Sequence, residues 1–106
     1  MLNKTVKSFL YDFLKRFVKK NNIIGLVLYG SHASGTYDGK SDIDLLVISQ
    51  QKKLKLDEVK NLERKTRKEV KIQVFSLGEW RDLKRKKDPF VEAVLLNHIL
   101  LYGPKI

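Results

Sequence analysis

Hydrophobic residues recur along this chain with two periods, one typical of amphipathic helices and one typical of strands. Over residues 3–20 the apolar side chains return every three to four positions, which predicts a helix with one buried face. Near-continuous apolar runs at 23–29 and 43–48 indicate buried strands. The β-branched segment 70–75 indicates a third strand. Further helices are predicted over 56–68, 78–87 and 90–98.

Polar and proline-containing pairs mark where several of these elements begin and end. Asn21 and Asn22 end the first helix. Asp88 as an N-cap followed by Pro89 at the first helical position is a strong signal for the start of the last helix. Residues 100–103 form either a short closing strand or a packed tail.

The order of these elements predicts the fold class and bounds the domain organisation. Strands that alternate with helices predict an α+β domain, α/β-like in its order, in which a small mixed β-sheet is backed by helices. With 106 residues the chain is long enough for one core, so we expect a single domain over 1–106. The chain has no cysteine, which excludes disulfides and thiolate zinc sites.

Neither end of the chain nor its interior carries a membrane or export signal. No apolar stretch approaches the ~20 residues that cross a bilayer. The N-terminal segment lacks the apolar core and the small-residue cleavage site of a signal peptide. We therefore expect a cytoplasmic protein without a membrane contact.

The charge balance is strongly basic. The chain has 22 Lys and Arg against 12 Asp and Glu, which gives a formal net charge of +10. Such a surplus favours contact with polyanions or acidic partners. A lysine-rich surface that serves solubility explains it at least as well, because no basic stripe interleaved with aromatic residues supports a nucleic-acid site. Nucleic acid therefore remains a weakly supported partner.

The segment between the first two strands carries the candidate chemistry. Gly30 and Ser31 follow the first strand, where a glycine and a small hydroxyl let the backbone approach a phosphate closely. Asp42 and Asp44 open the second strand and lie on the same side of it, roughly 7 Å apart along the chain. Mg2+ prefers one or two carboxylates together with substrate phosphates. The pattern therefore indicates chemistry on a nucleoside triphosphate.

These residues resemble the signature of the nucleotidyltransferase superfamily, which includes DNA polymerase beta and kanamycin nucleotidyltransferase. The matching positions are Gly30–Ser31, Gly35 and Ser41-Asp42-Ile43-Asp44. The short length and the early motif resemble most closely the minimal nucleotidyltransferases (MNT). The resemblance implies the nucleotidyltransferase fold, ATP as a substrate, and Mg2+ with up to two ions.

The same resemblance implies a role for each matching residue. Asp42 and Asp44 correspond to the catalytic, metal-binding carboxylates. Gly30, Ser31, Gly35 and Ser41 correspond to nucleotide-binding positions, with Gly30 forming the tight turn and Ser41 ordering the loop. Without the motif around them, the two aspartates would be an ordinary turn cap and an exposed strand residue.

Three positions depart from the family pattern or remain open. The superfamily usually carries a third carboxylate on the third strand, and the matching position in this chain is taken to be Gln73, which cannot act as a general base. Ser34 stands where many relatives carry an arginine. His32, in the motif loop, is either a phosphate contact or an exposed histidine without a role.

Two functions of different classes follow. The first is an enzyme that transfers a nucleoside monophosphate, most simply AMP from ATP, to a hydroxyl acceptor such as a protein. Resemblance to MNT proteins implies a further role as the antitoxin of a HEPN/MNT toxin–antitoxin pair, with a helical HEPN-type protein as partner. The alternative is a catalytically degenerate nucleotidyltransferase-fold protein that acts by binding a helical partner.

Overall fold

A computed structural model of the protein describes residues 4–35, 42–51 and 53–106. Within these ranges the chain forms five helices and four strands, which confirms the α+β class. In chain order the elements are α1 (Lys4–Asn21), β1 (Ile23–Tyr29), α2 (Ser31–Ser34), β2 (Ile43–Ser49), α3 (Asp57–Thr66), β3 (Val70–Phe75), α4 (Leu77–Arg85), α5 (Pro89–Leu96) and β4 (His98–Tyr102).

The four strands form one mixed sheet in the order β3-β2-β1-β4. β1 runs antiparallel to both β2 and β4, whereas β2 and β3 are parallel and are joined through α3. The register places Tyr29 of β1 and Lys71 of β3 on either side of Asp44. The end of the sheet where β1 stops and β2 begins therefore collects polar side chains from three strands.

Helices cover both faces of the sheet, so each strand has two buried sides. α1 and α3 cover one face, where Phe13 and Phe17 stack and pack with Leu62. α4 and α5 cover the other face, where Trp80 and Val91 pack over Leu46. Burial on both faces explains the near-continuous apolar runs of β1 and β2, because alternate side chains enter different cores.

The starts of the last two helices follow the local sequence. Ser76 and Glu79 form a capping box at α4, with the Ser76 Oγ accepting a hydrogen bond from the Glu79 N–H. Asp88 caps α5 by accepting hydrogen bonds from the backbone of Phe90 and Val91, which confirms the predicted start signal.

The end of the last helix differs from the prediction. α5 stops at Leu96, and His98 already belongs to β4, which pairs with β1. The strand alternative for the C-terminal segment is confirmed, but it begins two residues before the predicted 100. Backbone pairing with β1 accounts for this difference, because β1 supplies hydrogen-bond partners that the helical periodicity cannot reveal.

A charged contact fixes α1 against α3. The Lys20 ammonium lies 2.5 Å from a carboxylate oxygen of Asp57 and 2.8 Å from one of Glu58. We call Lys20, Asp57 and Glu58 the helix cluster. Beside it the buried Asn21 amide donates to the carbonyls of Phe17 and Lys55. α3 is therefore a packed helix, although its sequence carries few apolar residues.

Among the described residues, no helix is both long enough and apolar enough to cross a membrane.

Candidate active site at the end of the sheet

Gly30 makes the turn that brings the end of β1 against the start of β2. Its backbone has φ 76° and ψ −153°, a region that is essentially restricted to glycine. A Cβ at this position would also collide with the Oδ2 atom of Asp44. The glycine is therefore required twice, once for its backbone conformation and once because the Asp44 carboxylate occupies the space beside it.

The short helix α2 follows directly and orders the loop. The Gly30 carbonyl accepts hydrogen bonds from the N–H groups of Ala33 and Ser34, each at 3.1 Å. Gly35 ends α2 with φ 80°, and its N–H donates to the carbonyl of Ser31. Gly30, Ser31 and Gly35 are thus brought together in one short stretch of ordered chain. Ser41 lies outside the described residues.

His32 points into the protein. Its side chain is fully buried, so the interpretation as an exposed loop histidine is wrong. The imidazole is close enough to Asp44 for a positive charge on it to lower the pKa of that carboxyl. His32 therefore lies underneath the loop, on the inner side of the candidate site.

Asp42 and Asp44 lie on the side of β2 that also bears Leu46, facing α4 and α5. Ile43, which lies between the two aspartates, and Leu45, which follows them, pack in the core on the opposite face of the sheet. The structure therefore confirms the predicted shared direction of the two aspartates. Asp42 remains about one-third exposed, so the pair can be reached from solvent.

The electrostatics of Asp44 are unfavourable for its charged form. Partial burial raises the pKa of the Asp44 carboxyl, and the neighbouring Asp42 carboxylate raises it further, whereas Lys71 and His32 oppose the shift. Burial also raises the pKa of the Tyr29 hydroxyl, with a smaller contribution from the Asp44 charge. A cation bound beside Asp44 would relieve both effects.

Lys71, which the sequence analysis did not single out, is the cation nearest to this pair that the structure records. The register sets Lys71 opposite Asp44, and its ammonium lies 3.1 Å from a carboxylate oxygen of Asp42. Hydrogen bonding to Asp42 raises the pKa of the Lys71 ammonium. Side chains on β3 alternate between the two faces of the sheet, and its odd-numbered residues share a face with Asp44. The position of Lys71 beside Asp44 could therefore have been predicted once the parallel pairing of β2 and β3 was known.

The same register locates Gln73, the residue that the sequence matched to a third carboxylate, further along β3 than the residue level with Asp44. Gln73 pairs with Leu46, one step further into the sheet, and the residue level with Asp44 is Lys71. The position level with Asp44 on β3 is therefore held by an ammonium group.

The donor set can hold a divalent cation that arrives with phosphate ligands. Across the described ranges no group of three or more His, Cys, Asp or Glu residues could hold a metal ion. Mg2+ nevertheless commonly binds through one or two carboxylates and completes its shell with substrate phosphates and water. Asp42 and Asp44 fit that arrangement, and they do not form an all-protein cage.

A cavity lies away from this site. It has a volume of about 300 Å³ and is lined by residues that include Gly25, Ile48, Trp80 and Ile106. Ile48 is at the opposite end of β2 from Asp44, so this cavity does not include the carboxylate pair.

Comparison with known protein families identifies the domain. The family model described as nucleotidyltransferase domain matches residues 10–101, from the middle of α1 into β4. No curated protein matches the sequence.

Solved structures with the same fold share little sequence with this chain. A toxin–antitoxin structure with AMP-PNP is similar with a TM-score of 0.64 and 18% identity, covering 93% of this chain and 74% of that chain. A candidate nucleotidyltransferase from Sulfolobus solfataricus has a TM-score of 0.56 and 19% identity, covering 94% and 81%.

A larger structure is also similar. A spectinomycin adenyltransferase from Enterococcus faecialis, solved with ATP and spectinomycin, has a TM-score of 0.59 and 14% identity. The match covers 95% of this chain and 56% of that one. At these identities the three likenesses show a common fold.

Proposed function

This chain belongs to the nucleotidyltransferase domain family, and we propose that it transfers AMP from ATP to a hydroxyl group on an acceptor protein. The observation that carries the proposal is the packing of Gly30 against Asp44. The Gly30 turn, which is suited to a phosphate, contacts the Asp44 carboxylate. Nearby cations compensate the negative charge of that carboxylate only in part. The turn and the carboxylate would thus form the two halves of a Mg2+–nucleotide site.

The residues would divide the work as follows. Asp42 and Asp44 would hold Mg2+, which neutralises triphosphate charge when it is bound. The backbone of Gly30 and Ser31, with Gly35 and Ser41, would hold the triphosphate. The acceptor oxygen would form a bond to the α-phosphorus while the bond to the bridging oxygen breaks. Pyrophosphate would leave, and the proton of the hydroxyl would pass to water.

We propose further that the chain is an MNT protein whose acceptor is a helical HEPN-type toxin, so that the chain acts as the antitoxin. Support comes from the fold shared with a toxin–antitoxin structure that contains AMP-PNP.

A second candidate function has its own observation in favour. Lys71, and not a carboxylate, occupies the position level with Asp44. A lysine with a raised pKa is a poor general base at neutral pH. The alternative is therefore a catalytically degenerate domain that acts by binding the helical partner.

One experiment separates the two. ATP labelled at the α-phosphate is incubated with Mg2+ and the wild-type chain, with and without the candidate helical protein, and compared with the Asp42→Asn, Asp44→Asn double variant. Label transferred to the partner by wild type alone supports the transferase. Tight association without label, unchanged in the double variant, contradicts it and supports the binding function.

A further inference from the structure

At the end of the sheet, the Lys71 ammonium lies beside the aspartates that would bind a metal ion. Lys71 extends from β3 on the same face as Asp42 and Asp44, and its ammonium is 3.1 Å from Asp42. The Lys71 side chain is 55% exposed and the Asp42 side chain 34% exposed. This is therefore a solvent-accessible pair at the mouth of the site and not a buried ion pair of the core.

The combined charge of Asp42, Asp44 and Lys71 limits how many further cations this site can bind. Two carboxylates and one ammonium leave a net charge of −1 before any ligand binds. Two-metal sites place their ions about 3.5–4 Å apart between shared acidic ligands. In this chain one of the two carboxylates already has a cation at hydrogen-bond distance, and within the described ranges no third acidic residue forms a metal-holding group with them. Glu69 acts on Lys71 only through its charge.

We propose, building on the proposed nucleotide site, that Lys71 is a built-in counter-cation that replaces a second divalent ion. The site then takes a single divalent cation, together with one nucleoside triphosphate. The ammonium supplies positive charge level with Asp44 and in contact with Asp42. Lys71 is thus a positioning and charge-setting residue, and it determines the metal stoichiometry of the site.

The test counts bound metal and does not depend on turnover. Mn2+ replaces Mg2+ and is titrated into the protein with the free ion followed by electron paramagnetic resonance, first alone and then with a non-hydrolysable ATP analogue. Wild type is compared with Lys71→Met, which removes the charge, and with Lys71→Glu, which adds a carboxylate. Lys60→Met is the matched control, because Lys60 is an exposed lysine of α3 on the other face of the sheet.

We expect one Mn2+ per wild-type chain with the nucleotide analogue, and two in Lys71→Glu. Without nucleotide, Lys71→Met should bind Mn2+ several-fold more tightly than wild type, while Lys60→Met should match wild type within about twofold. Circular dichroism and thermal melts establish that each variant is folded.

Two results would overturn the inference while leaving the nucleotide site intact: two Mn2+ ions in wild type, or a Lys71→Met affinity that equals that of Lys60→Met. A wild-type chain that binds neither Mn2+ nor the nucleotide analogue would contradict the proposed function itself. That result would remove the inference together with the site on which it rests.

Discussion

The helix cluster and the sheet-end cluster of Asp42, Asp44 and Lys71 are built from the same kinds of residue, two carboxylates and a lysine, and they behave in opposite ways. In the helix cluster Lys20 touches both acidic side chains, and hydrogen bonding to it lowers the pKa of Asp57 and of Glu58. At the sheet end Lys71 reaches Asp42, and the pKa of Asp44 is raised.

Position in the fold explains the difference. The helix cluster joins two helices side by side, so one flexible ammonium lies between both carboxylates, and the Arg16 guanidinium adds a second cation 4.0 Å from Glu58. The sheet-end aspartates are spaced along a strand and partly buried, so a single ammonium neutralises one more fully than the other. The helix cluster stabilises the packing of α1 against α3. At the sheet end, in contrast, the negative charge of Asp44 is only partly compensated, an imbalance that is common at functional sites.

The largest expected effect comes from breaking the sheet end at its glycine. Gly30→Ala would force a side chain into a glycine-only backbone region and against the Asp44 carboxylate. We expect a loss of about 1–3 kcal/mol in the free energy of unfolding, measured by urea denaturation, together with loss of nucleotide binding.

Gly78→Ala is the matched control for that substitution. A Cβ at Gly78 meets no atom within 4 Å, and the residue lies in α4. The control should gain up to about 1 kcal/mol, since alanine is the better helix former. Equal unfolding free energies for the two variants would contradict the constraint that we assign to Gly30.

A smaller effect is expected from breaking the helix cluster. Lys20→Met should lower the melting temperature by a few degrees at neutral pH without changing nucleotide binding. Because the pKa values of Asp57 and Glu58 are lowered from 3.8 and 4.5, their stabilising contribution is present above those values and is lost as the pH falls through the folded values.

Thermal melts of wild type and Lys20→Met between pH 2.5 and 8 test this. The difference should be constant from about pH 5 upward and should vanish in strong acid. A difference that persists unchanged in acid would show that Lys20 acts through packing and not through its charge.

Asp44→Asn should shift stability in the other direction. Because the pKa of Asp44 is raised above 3.8, the folded state is favoured when the carboxyl is protonated, and this contribution is lost as the pH rises through the folded value. The variant should therefore match wild type below about pH 4 and be more stable at pH 7, by less than about 1 kcal/mol because solvent screens the charge. A variant less stable than wild type at pH 7 would contradict this.

Lys71→Met should have the smallest effect on stability. Its ion pair with Asp42 is exposed, and solvent screens such pairs so strongly that they contribute little to stability. We expect the melting temperature to stay within about 3 °C of wild type. A loss as large as that in Gly30→Ala would mean that Lys71 serves the fold and not the site.

Local pattern predicted most of the fold, because helix and strand periods are set by neighbouring residues. The bounds of β1 were predicted without error, and the start of α5 at Asp88–Pro89 was confirmed. The boundary between α5 and β4 was misplaced because it depends on pairing with β1. Local pattern also could not predict the partner of Asp57, because Lys20 lies 37 residues away in the sequence, in α1.

The parts of the candidate site that lie close together in the sequence could be predicted, whereas the part contributed by a distant strand could not. The Gly30–Ser31 turn and the direction of Asp42 and Asp44 follow from residues close together in the chain. Lys71 enters through the parallel register of β2 and β3, which single-strand periodicity does not fix. For this reason the sequence directed attention to Gln73 and did not reveal Lys71.

The central claim is that the sheet-end aspartates form the cation-dependent nucleotide site and that the helix cluster does not. Calorimetric titration of a non-hydrolysable ATP analogue, with and without Mg2+, into wild type, Asp44→Asn and Asp57→Asn tests it most directly. We expect Mg2+-dependent binding in wild type and Asp57→Asn, and at least tenfold weaker binding in Asp44→Asn. Equal binding in all three proteins would contradict it.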